Sequence, residues 1–474
     1  MLHFKKTGEN RMAAIVSETY ARLIDKYDCD VVMYTAYPHH SHWSKEFGDK
    51  EFRTALKNLF SCDKSSPLML YLHIPHCEEL CWFCTCHMTV THSYEKVKKY
   101  LSVLHREVEL FRDFLDQHSL TPNFQEVHFG GGSPTYICED EFEQLMERVR
   151  TIVDIDRLSE FSIEIDPRRV DKERLKFYHE KGVNRISLGV QDFDLDVQKA
   201  INRVQPPELI ENLLAPEIKK CFVNGINFDI ICGLPRQTPT SIRETINKVV
   251  DMSPDRICLN YLHLSKFAKH QKLMNRSELP SMHEKKMLFY EALDVLERSG
   301  YVRIGYDHFA KPTDAVAKAL VEQKMHWNAL GYTSGKYASV IGLGISSYST
   351  VGENYYFQNC FDEPDYEKAI TKGHFPIYRG YKLDQDDIMR RDIITRLRSY
   401  FYLDCRSIEE QYGINFEKYF GEEKTILCDF AQENIIELSN TTIVITESGK
   451  QFANLVCETF DRFVPRYKHL RSMA

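Results

Sequence analysis

The chain has 474 residues, of which 43% are hydrophobic and 27% charged, a composition typical of a globular protein with one large domain and a smaller one. Its formal net charge of −8 argues against a nucleic-acid-binding protein, which would normally be basic. No apolar run approaches the length of a membrane span, and the N-terminal segment lacks the apolar region of a secretory signal. Fourteen cysteines without such a signal favour a reducing, cytoplasmic environment over a disulfide framework.

The first 55 residues show no alternation of strands and helices. They contain a helical pattern at Ala13–Tyr27 and continue into an apolar and aromatic stretch at residues 31–40. Two interpretations are equally open for this segment: it packs around the outside of a barrel, or it forms a lid over the mouth of an active site.

Alternation of predicted strands and helices begins at Leu68. It predicts an α/β fold whose parallel sheet is curled into a full or partial (β/α)6 barrel, with the chemistry at the C-terminal ends of the strands. The predicted strands are Leu68–Ile74, Glu126–Phe129, Phe161–Ile165, Arg185–Val190, Asn227–Ile231 and Arg256–Leu262. The amphipathic stretches between them are Tyr94–His118, Glu139–Val153, Lys172–Lys181, Pro207–Asn224 and Pro239–Met252.

A cysteine-rich loop directly follows the first predicted strand. Cys77, Cys81, Cys84 and Cys86 fall within ten residues in the spacing CxxxCxxCxC. Thiolates this close repel one another unless a soft metal compensates their charge. Structural zinc usually needs a second, distant pair of ligands, which does not follow here, and a disulfide pair is the other alternative. The spacing favours an iron–sulfur cluster in which three cysteines hold three irons and leave a fourth open.

Glycines and polar side chains follow the later strands. Residues 130–133 read Gly-Gly-Gly-Ser, which is either a tight turn or a bare backbone that approaches a zwitterionic ligand. Glu164 lies on the third strand, Gln191 and Arg203 follow the fourth, and Asp229 lies on the fifth. Each alone would suggest a salt bridge or a strand cap. Together they favour a site for ribose hydroxyls and a carboxylate.

Beyond the sixth strand the alternation loosens. A predicted helix, Met282–Arg298, precedes glycine- and aromatic-rich loops that either shape a substrate pocket or close the open side of the barrel. From about Leu383 helical patterns predominate, at Gln385–Leu403, Ile408–Tyr412 and Glu423–Gln432, with one alternating run at Thr442–Thr446. We therefore predict three parts: an N-terminal extension at 1–55, a barrel with pocket-forming loops at 56–375, and a small, mostly helical C-terminal domain at 376–474.

Two resemblances follow from these motifs. CxxxCxxC with an aromatic residue, Phe83, before the third cysteine resembles the radical S-adenosylmethionine (SAM) enzymes, in which the open iron of a [4Fe–4S] cluster binds SAM. Nearly the whole chain resembles the oxygen-independent coproporphyrinogen III oxidase family. The motifs that carry this resemblance are YLHIPHCEELCWFCTC at 71–86, HFGGGSPTY at 128–136, SIEIDPR at 162–168, RISLGVQDF at 185–193, DIICGLPRQTP at 229–239, GYDHFAKP at 305–312 and RRDIITRL at 390–397.

The family resemblance implies a function for each matching residue. It implies that Cys77, Cys81 and Cys84 ligate the cluster and that Cys86 is essential without being a ligand. Cys86, Glu164 and Tyr71 would be catalytic. One SAM molecule, and a second beside it, would be contacted by Tyr71, Phe83, Gly131, Gly132, Ser133, Glu164, Gln191, Arg203, Asp229, Leu262 and Tyr348.

The implied reaction belongs to anaerobic haem biosynthesis. A 5′-deoxyadenosyl radical would convert two propionates of coproporphyrinogen III to vinyl groups, which gives protoporphyrinogen IX. The resemblance further implies a tetrapyrrole substrate, an electron donor such as flavodoxin or ferredoxin, and a monomer.

Several positions depart from the family pattern and leave alternatives open. The family motif PRYTSYP reads Val-Met-Tyr-Thr-Ala-Tyr-Pro at 32–38, with Met33 and no arginine for an acidic tetrapyrrole. Leu262 replaces the usual Ala, Ala329 replaces Phe, and Tyr348 replaces Ile. Changes of shape beside a cofactor alter what fits. The alternatives are a paralogue that uses the same radical for C-methylation, cyclopropane formation or haem-ring opening, and a non-catalytic haem carrier.

Overall fold

The computed structural model describes residues 22–27, 32, 34–62, 65–335, 337 and 339–465. Of the predicted helix Ala13–Tyr27, only residues 22–27 are described, and residues 22–26 are helical. Met33 lies outside the described residues. Among the described helices none is both long and apolar enough to cross a membrane.

One large sheet forms the centre of the molecule. In chain order its strands are β1 Leu68–Ile74, β2 Phe124–Gly131, β3 Glu160–Ile165, β4 Arg185–Gln191, β5 Ile226–Cys232, β6 Arg256–Tyr261, β7 Val302–Ile304, β8 His308–Ala310, β9 Ser339–Leu343, β10 Tyr348–Val351, β11 Tyr355–Asn359 and β12 Ile377–Lys382. Their spatial order is β12-β11-β10-β9-β1-β2-β3-β4-β5-β6-β8-β7. Strands β1 to β6 are parallel neighbours, which confirms the predicted succession of six βα units.

The sheet extends beyond the predicted barrel strands. Residues 340–352, one of the stretches predicted as glycine- and aromatic-rich loops, instead form most of β9, which pairs parallel with β1, and β10, which pairs antiparallel with β9. β11 and β12 continue the sheet in antiparallel pairing. The loop prediction for 340–352 was therefore wrong. Gly342 explains the close pairing of β9 and β10, because a Cβ atom there would lie 2.2 Å from the Tyr348 carbonyl oxygen.

The helices of this part are α1 Asp49–Cys62, α2 Tyr94–Gln117, α3 Glu139–Val149, α4 Lys172–Glu180, α5 Leu195–Ala200, α6 Pro207–Leu213, α7 Pro216–Lys219, α8 Pro239–Met252, α9 Met282–Arg298, α10 Ala315–Val321 and α11 Glu363–Thr371. Most of them cover the outer face of the sheet, whereas α5 packs beside the cysteine loop and α10 packs in the core of the C-terminal part. The single helix predicted at Pro207–Asn224 is instead two. Pro216 forces Ala215 into an extended conformation, with ψ at 151°, and so ends the first helix.

The C-terminal part combines helices with a small sheet. Its helices are α12 Gln385–Tyr400, α13 Cys405–Tyr412, α14 Phe416–Tyr419, α15 Gly421–Gln432 and α16 Ala453–Glu458, and three short strands, Tyr402–Asp404, Ile436–Leu438 and Thr442–Ile445, pair antiparallel.

The N-terminal segment packs against this C-terminal part and the edge of the large sheet. The Tyr34 hydroxyl donates to Asp461 over 2.8 Å, and Ser44 pairs with Gly380 of β12. Tyr34 and Tyr37 share a hydrophobic core with α12 residues such as Ile393. The predicted three-part division stays a prediction, and helix α1 runs across its first boundary at residue 55.

Candidate active site

The inner face of the sheet is lined with polar side chains because residues alternate along each strand. On β1, Leu70 and Leu72 pack outward against the helices, whereas Tyr71 faces inward beside Val340 of β9. The same alternation sends Glu164 of β3 and Asp229 of β5 inward, since their neighbours along both strands belong to the outer core. The polar residues of the six central strands therefore lie on one enclosed face.

Backbone hydrogen bonds hold the cysteine loop against the C-terminal end of β1. The Thr89 N–H donates to the Pro75 carbonyl over 2.8 Å, and the Thr91 N–H donates to Cys77 over 2.9 Å. On its other side the Trp82 N–H donates to Ile201 over 3.0 Å, and Phe83 packs against a small buried cluster that includes Leu262. The loop is thus anchored at both ends and at its tip.

Cys81 is the buried cysteine of the loop and lies beside two arginines. Arg203 Nη1 donates to its Sγ atom over 3.4 Å, and Arg168 Nη2 does so over 3.7 Å. Burial, followed by the charges of Cys84 and Cys81, raises the pKa of the Cys77 thiol to about 12. Binding of Cys77 to a metal therefore has to release its proton.

Two glycines let β2 approach the cysteine loop. Gly131 has a φ of +123°, and a Cβ atom there would lie 2.8 Å from the Ile74 carbonyl oxygen. At Gly132 a Cβ atom would lie 2.4 Å from the Pro75 carbonyl oxygen and 3.0 Å from Cys77 Sγ. The adjacent Ser133 donates its N–H to the His76 carbonyl over 3.0 Å. The predicted glycine motif therefore packs directly under the cysteine loop.

Glu164 lies at the centre of a second group of residues. His128 Nε2 donates to its Oε1 atom over 3.2 Å, and the Gly131 N–H donates to its Oε2 atom over 3.1 Å. Burial alone would raise the pKa of Glu164, but the hydrogen bond and charge of His128 and the Gly131 N–H lower it below its ordinary value. Tyr71 stacks on His128 with ring centroids 5.8 Å apart, and its hydroxyl contacts His73 Nδ1 over 2.8 Å.

Arg203 contacts the protein rather than an open cavity. Besides Cys81, its Nη2 atom donates to the Gly189 carbonyl over 2.8 Å and lies 3.4 Å from Asp166 Oδ1. Burial would raise the pKa of Asp166, but the charge of Arg203 and three hydrogen bonds from Arg168 lower it to about 2. Gln191 sits at a bulge with a φ of +68°.

Asp229 lies further across the inner face. It accepts hydrogen bonds from Ser187 over 3.0 Å and from Asn227 over 2.9 Å. Burial, followed by the charge of Glu164, raises its pKa. Strand alternation places Asp229 and Glu164 on the same inner face.

The two remaining predicted cofactor contacts lie on opposite sides of the site. Leu262 is buried beside Phe83, whereas Tyr348 lies at the start of β10 with its ring 5.7 Å from that of Trp43. Tyr348 and Ala329 line one cavity of about 220 Å³ together with His40 and Trp43. The structure therefore brings one substituted position to the cysteine loop and two to a separate cavity.

Comparison with known proteins identifies the family. The Radical SAM superfamily model matches residues 71–249. The oxygen-independent coproporphyrinogen III oxidase of Pseudomonas aeruginosa is 36% identical over 95% of this chain and 97% of its own length. That of Escherichia coli is 35% identical over 93% of this chain and 95% of its own. The chain belongs to the oxygen-independent coproporphyrinogen III oxidase family.

A solved structure supports the same conclusion. The solved structure of the coproporphyrinogen III oxidase of Escherichia coli, which is described as a radical SAM enzyme, aligns with 91% of this chain at a TM-score of 0.84 and 34% identity. The alignment covers 98% of that chain. As a member of the oxygen-independent coproporphyrinogen III oxidase family, the chain is a radical SAM oxidoreductase with a [4Fe–4S] cluster and SAM as cofactors.

The cysteine loop suits such a cluster. The ligands of a cluster bind different irons, so three cysteines of one loop can hold it. The two arginines at Cys81 supply positive charge beside thiolates, which suits an anionic cluster.

Three residues of this site were not among the residues predicted from the sequence. His128 and His73 have a detectable signal, because alternation along their strands places them on the same face as Glu164 and Tyr71. Arg379 of β12 had none, since its strand was not predicted. Asp192, which follows Gln191, has a structural function, because Gln237 and Thr245 donate to its buried carboxylate over 2.6 and 2.8 Å.

Proposed function

We propose that this protein catalyses the oxidative decarboxylation of two propionate side chains of coproporphyrinogen III to vinyl groups, yielding protoporphyrinogen IX. The observation that carries the proposal is the family relationship over 95% of the chain, since it includes the C-terminal part as well as the barrel. When bound, the cluster and SAM supply a 5′-deoxyadenosyl radical that takes a β-hydrogen from a propionate, after which CO₂ and one electron leave.

We assign the cluster to Cys77, Cys81 and Cys84. Arg203 and Arg168 would stabilise the ligated Cys81 thiolate, because their N–H groups already point at its sulfur atom. Cys86 is exposed at the end of the loop. Its position suits a thiol that acts on the substrate rather than on the metal.

We assign the binding of SAM to the residues around Glu164. The lowered pKa of Glu164 keeps its carboxylate ionised, which suits a ribose or an ammonium group. Gly131, Gly132 and Ser133 lie between this carboxylate and the cysteine loop and would hold the methionine part of SAM. Tyr71 closes the same group from β1. Asp229 and Gln191 lie farther along the inner face and would contact a second SAM molecule.

A cation on the inner face supports an acidic substrate. Strand pairing places Arg379 of β12 opposite Gln358 of β11, and Gln358 opposite Tyr348 of β10, so all three share the face of Tyr71. In the part of the chain that the structure describes, no carboxylate lies within 4 Å of Arg379. We propose that it binds a propionate and replaces the arginine missing from residues 32–38.

The position of Arg379 suits that function. Its guanidinium lies 5.4 Å from the ring centre of Phe361, and the Phe361 ring lies 5.9 Å from that of His87, the residue after Cys86. Burial lowers the pKa of His40 to about 4 and also lowers that of His39, so these neighbours are neutral at pH 7. Arg379 is therefore the permanent cation among them.

A second candidate function rests on the cavity next to Arg379. Two of the family's usual residues are replaced in its lining, by Ala329 and Tyr348. This favours a paralogue that applies the same radical to a substrate of another shape.

Anaerobic turnover separates the two candidates. The reconstituted enzyme is incubated with SAM, a reductant and coproporphyrinogen III, and the products are identified by mass spectrometry. Loss of CO₂ and two hydrogen atoms from each of two side chains, with 5′-deoxyadenosine formed, supports the main proposal. Deoxyadenosine without any change in the porphyrinogen would refute it in favour of the paralogue. A Cys84→Ala variant, which should form neither product, is the control.

A further inference from the structure

The most basic exposed segment near the cysteine loop is residues 263–273, the basic loop, which follows β6. Lys266, Lys269 and Lys272 are all exposed, and the segment contains no acidic residue. Within the described residues none of these lysines pairs with a carboxylate. The loop therefore carries three uncompensated positive charges on a chain whose net charge is −8.

Exposed apolar side chains lie between these lysines. Phe267 is 83% exposed and Leu273 is 54% exposed, which makes Phe267 the most exposed large apolar side chain of the described residues. The Lys266 ammonium lies 5.2 Å from the centre of the Phe267 ring. An exposed aromatic ring among charged side chains is typical of a protein–protein interface, in which an apolar anchor is surrounded by a charged rim.

Direct hydrogen bonds join the basic loop to the cysteine loop. His270 Nε2 donates to the Cys84 carbonyl over 2.8 Å, and Gln271 Nε2 donates to the Phe83 carbonyl over 2.8 Å. The buried Met274 packs in the same small cluster as Leu262, against which Phe83 lies. The charged segment is thus rigidly attached to the residues that flank Cys84.

The acidic residues of the cysteine loop do not cancel this charge. Glu78 pairs with Arg169 over 2.6 Å, and Glu79 pairs with Arg168 over 2.8 Å and with Arg169 over 3.0 Å. The outer rim of the cysteine loop is therefore electrically balanced on one side and positive on the side of the basic loop.

We propose that the basic loop is the docking surface for an acidic one-electron carrier protein that reduces the cluster. This inference rests on the proposed chemistry, which consumes one external electron for each SAM cleaved. The partner donates one electron to the cluster, and no atom is transferred. Complementary charge would steer its approach, and Phe267 would anchor it beside the residues that flank Cys84. A small, weak interface suits a carrier that must leave after each transfer.

The test uses the reconstituted full-length enzyme and flavodoxin, a small acidic flavoprotein, as the probe. The loop variant carries Lys266→Glu, Lys269→Glu and Lys272→Glu. The matched control carries the same change of charge at three exposed lysines on other elements, Lys57→Glu, Lys248→Glu and Lys318→Glu. Calorimetry measures the binding of oxidised flavodoxin at low and high salt, which needs no turnover and no substrate.

We expect the loop variant to bind flavodoxin at least ~10-fold more weakly than the control at low salt, with the difference shrinking at high salt. Reduction of the cluster by reduced flavodoxin, monitored as the loss of cluster absorbance, should be slower in the loop variant alone. Reduction by dithionite should proceed at the same rate in all proteins. Equal binding by loop and control variants would overturn the proposal. A Phe267→Ser variant should weaken binding without changing its dependence on salt.

These outcomes are distinct from failure of the proposed function. Binding and cluster reduction are measured without any porphyrinogen. An enzyme that docks flavodoxin through the basic loop but leaves coproporphyrinogen III unchanged would contradict only the substrate assignment.

Discussion

Replacement of Arg379 by glutamine tests the proposed contact with a propionate most directly. The wild-type guanidinium donates from Nε and Nη2 to Gln358 Oε1 over 2.8 and 2.6 Å, which fixes its plane. It also lies 5.9 Å from the ring centre of Trp43 and 5.4 Å from that of Phe361. Glutamine keeps part of the aliphatic side chain that packs on these rings but removes the positive charge and the guanidinium N–H donors.

The size of the effect follows from the contact that is lost. A hydrogen bond to a charged group contributes about 1.5–3 kcal/mol, which corresponds to roughly 10–150-fold in binding. We expect Arg379→Gln to raise the KM for coproporphyrinogen III by this factor. Cleavage of SAM without substrate should stay unchanged, because Arg379 makes no contact with Glu164, Gly131 or the cysteines.

The assay is anaerobic turnover at varied porphyrinogen concentration, with vinyl products and 5′-deoxyadenosine measured separately. The KM of Arg379→Lys should lie between those of the wild type and Arg379→Gln, because lysine keeps the positive charge but lacks the parallel N–H donors of the guanidinium. Lys45→Gln is the matched control, since Lys45 is an exposed cation nearby whose ammonium lies 4.7 Å from the Tyr378 ring centre. An unchanged KM, or an equal loss of SAM cleavage, would show that Arg379 does not bind the substrate.

Three further predictions follow. Gly132→Ala should reduce iron content and lower the free energy of unfolding by about 1–3 kcal/mol, because its Cβ atom would lie 2.4 Å from a carbonyl oxygen. Gly421→Ala is the control and should do neither, because no atom lies within 4 Å of the Cβ atom there. Glu164→Gln should weaken SAM binding at least ~10-fold in equilibrium dialysis with iron content unchanged, and tight binding would contradict the assignment. Burial raises the pKa of Glu107 from 4.5 to about 7. Between these two pH values the folded state binds more protons than the unfolded chain. The free energy of unfolding should therefore fall by about 3 kcal/mol as pH rises from about 4.5 to about 7. In urea unfolding at pH 5 and pH 8, Glu107→Gln should remove most of that fall, and an unchanged pH dependence would rule out Glu107 as its source.

Local pattern was enough to predict the central strands and the cysteine loop. The first strand, Leu68–Ile74, was predicted with the bounds that the structure has, and the next five were found within about two residues at each end. Buried parallel strands are continuous apolar runs, and the amphipathic helices between them have a different period, so both are visible without any knowledge of distant contacts. The family resemblance then predicted a [4Fe–4S] cluster and SAM, which the comparisons confirm, whereas the second SAM molecule stays a prediction.

The tertiary structure decided how distant segments meet. Strands β9 to β12 are short and rich in glycine and tyrosine, and they hold together through pairing with β1 and with one another rather than through a pattern of their own. The partners of Arg203, namely Asp166 and the Cys81 sulfur, also come from separate strands and loops.

The sequence by itself therefore determined the barrel strands, the cysteine spacing and the family. Only the tertiary structure placed Arg379 on the inner face and the basic loop beside Cys84. The physical reason is that periodicity and ligand spacing arise within a few residues, whereas shared faces depend on the register between strands. That register is set by long-range packing, which no single stretch of sequence encodes.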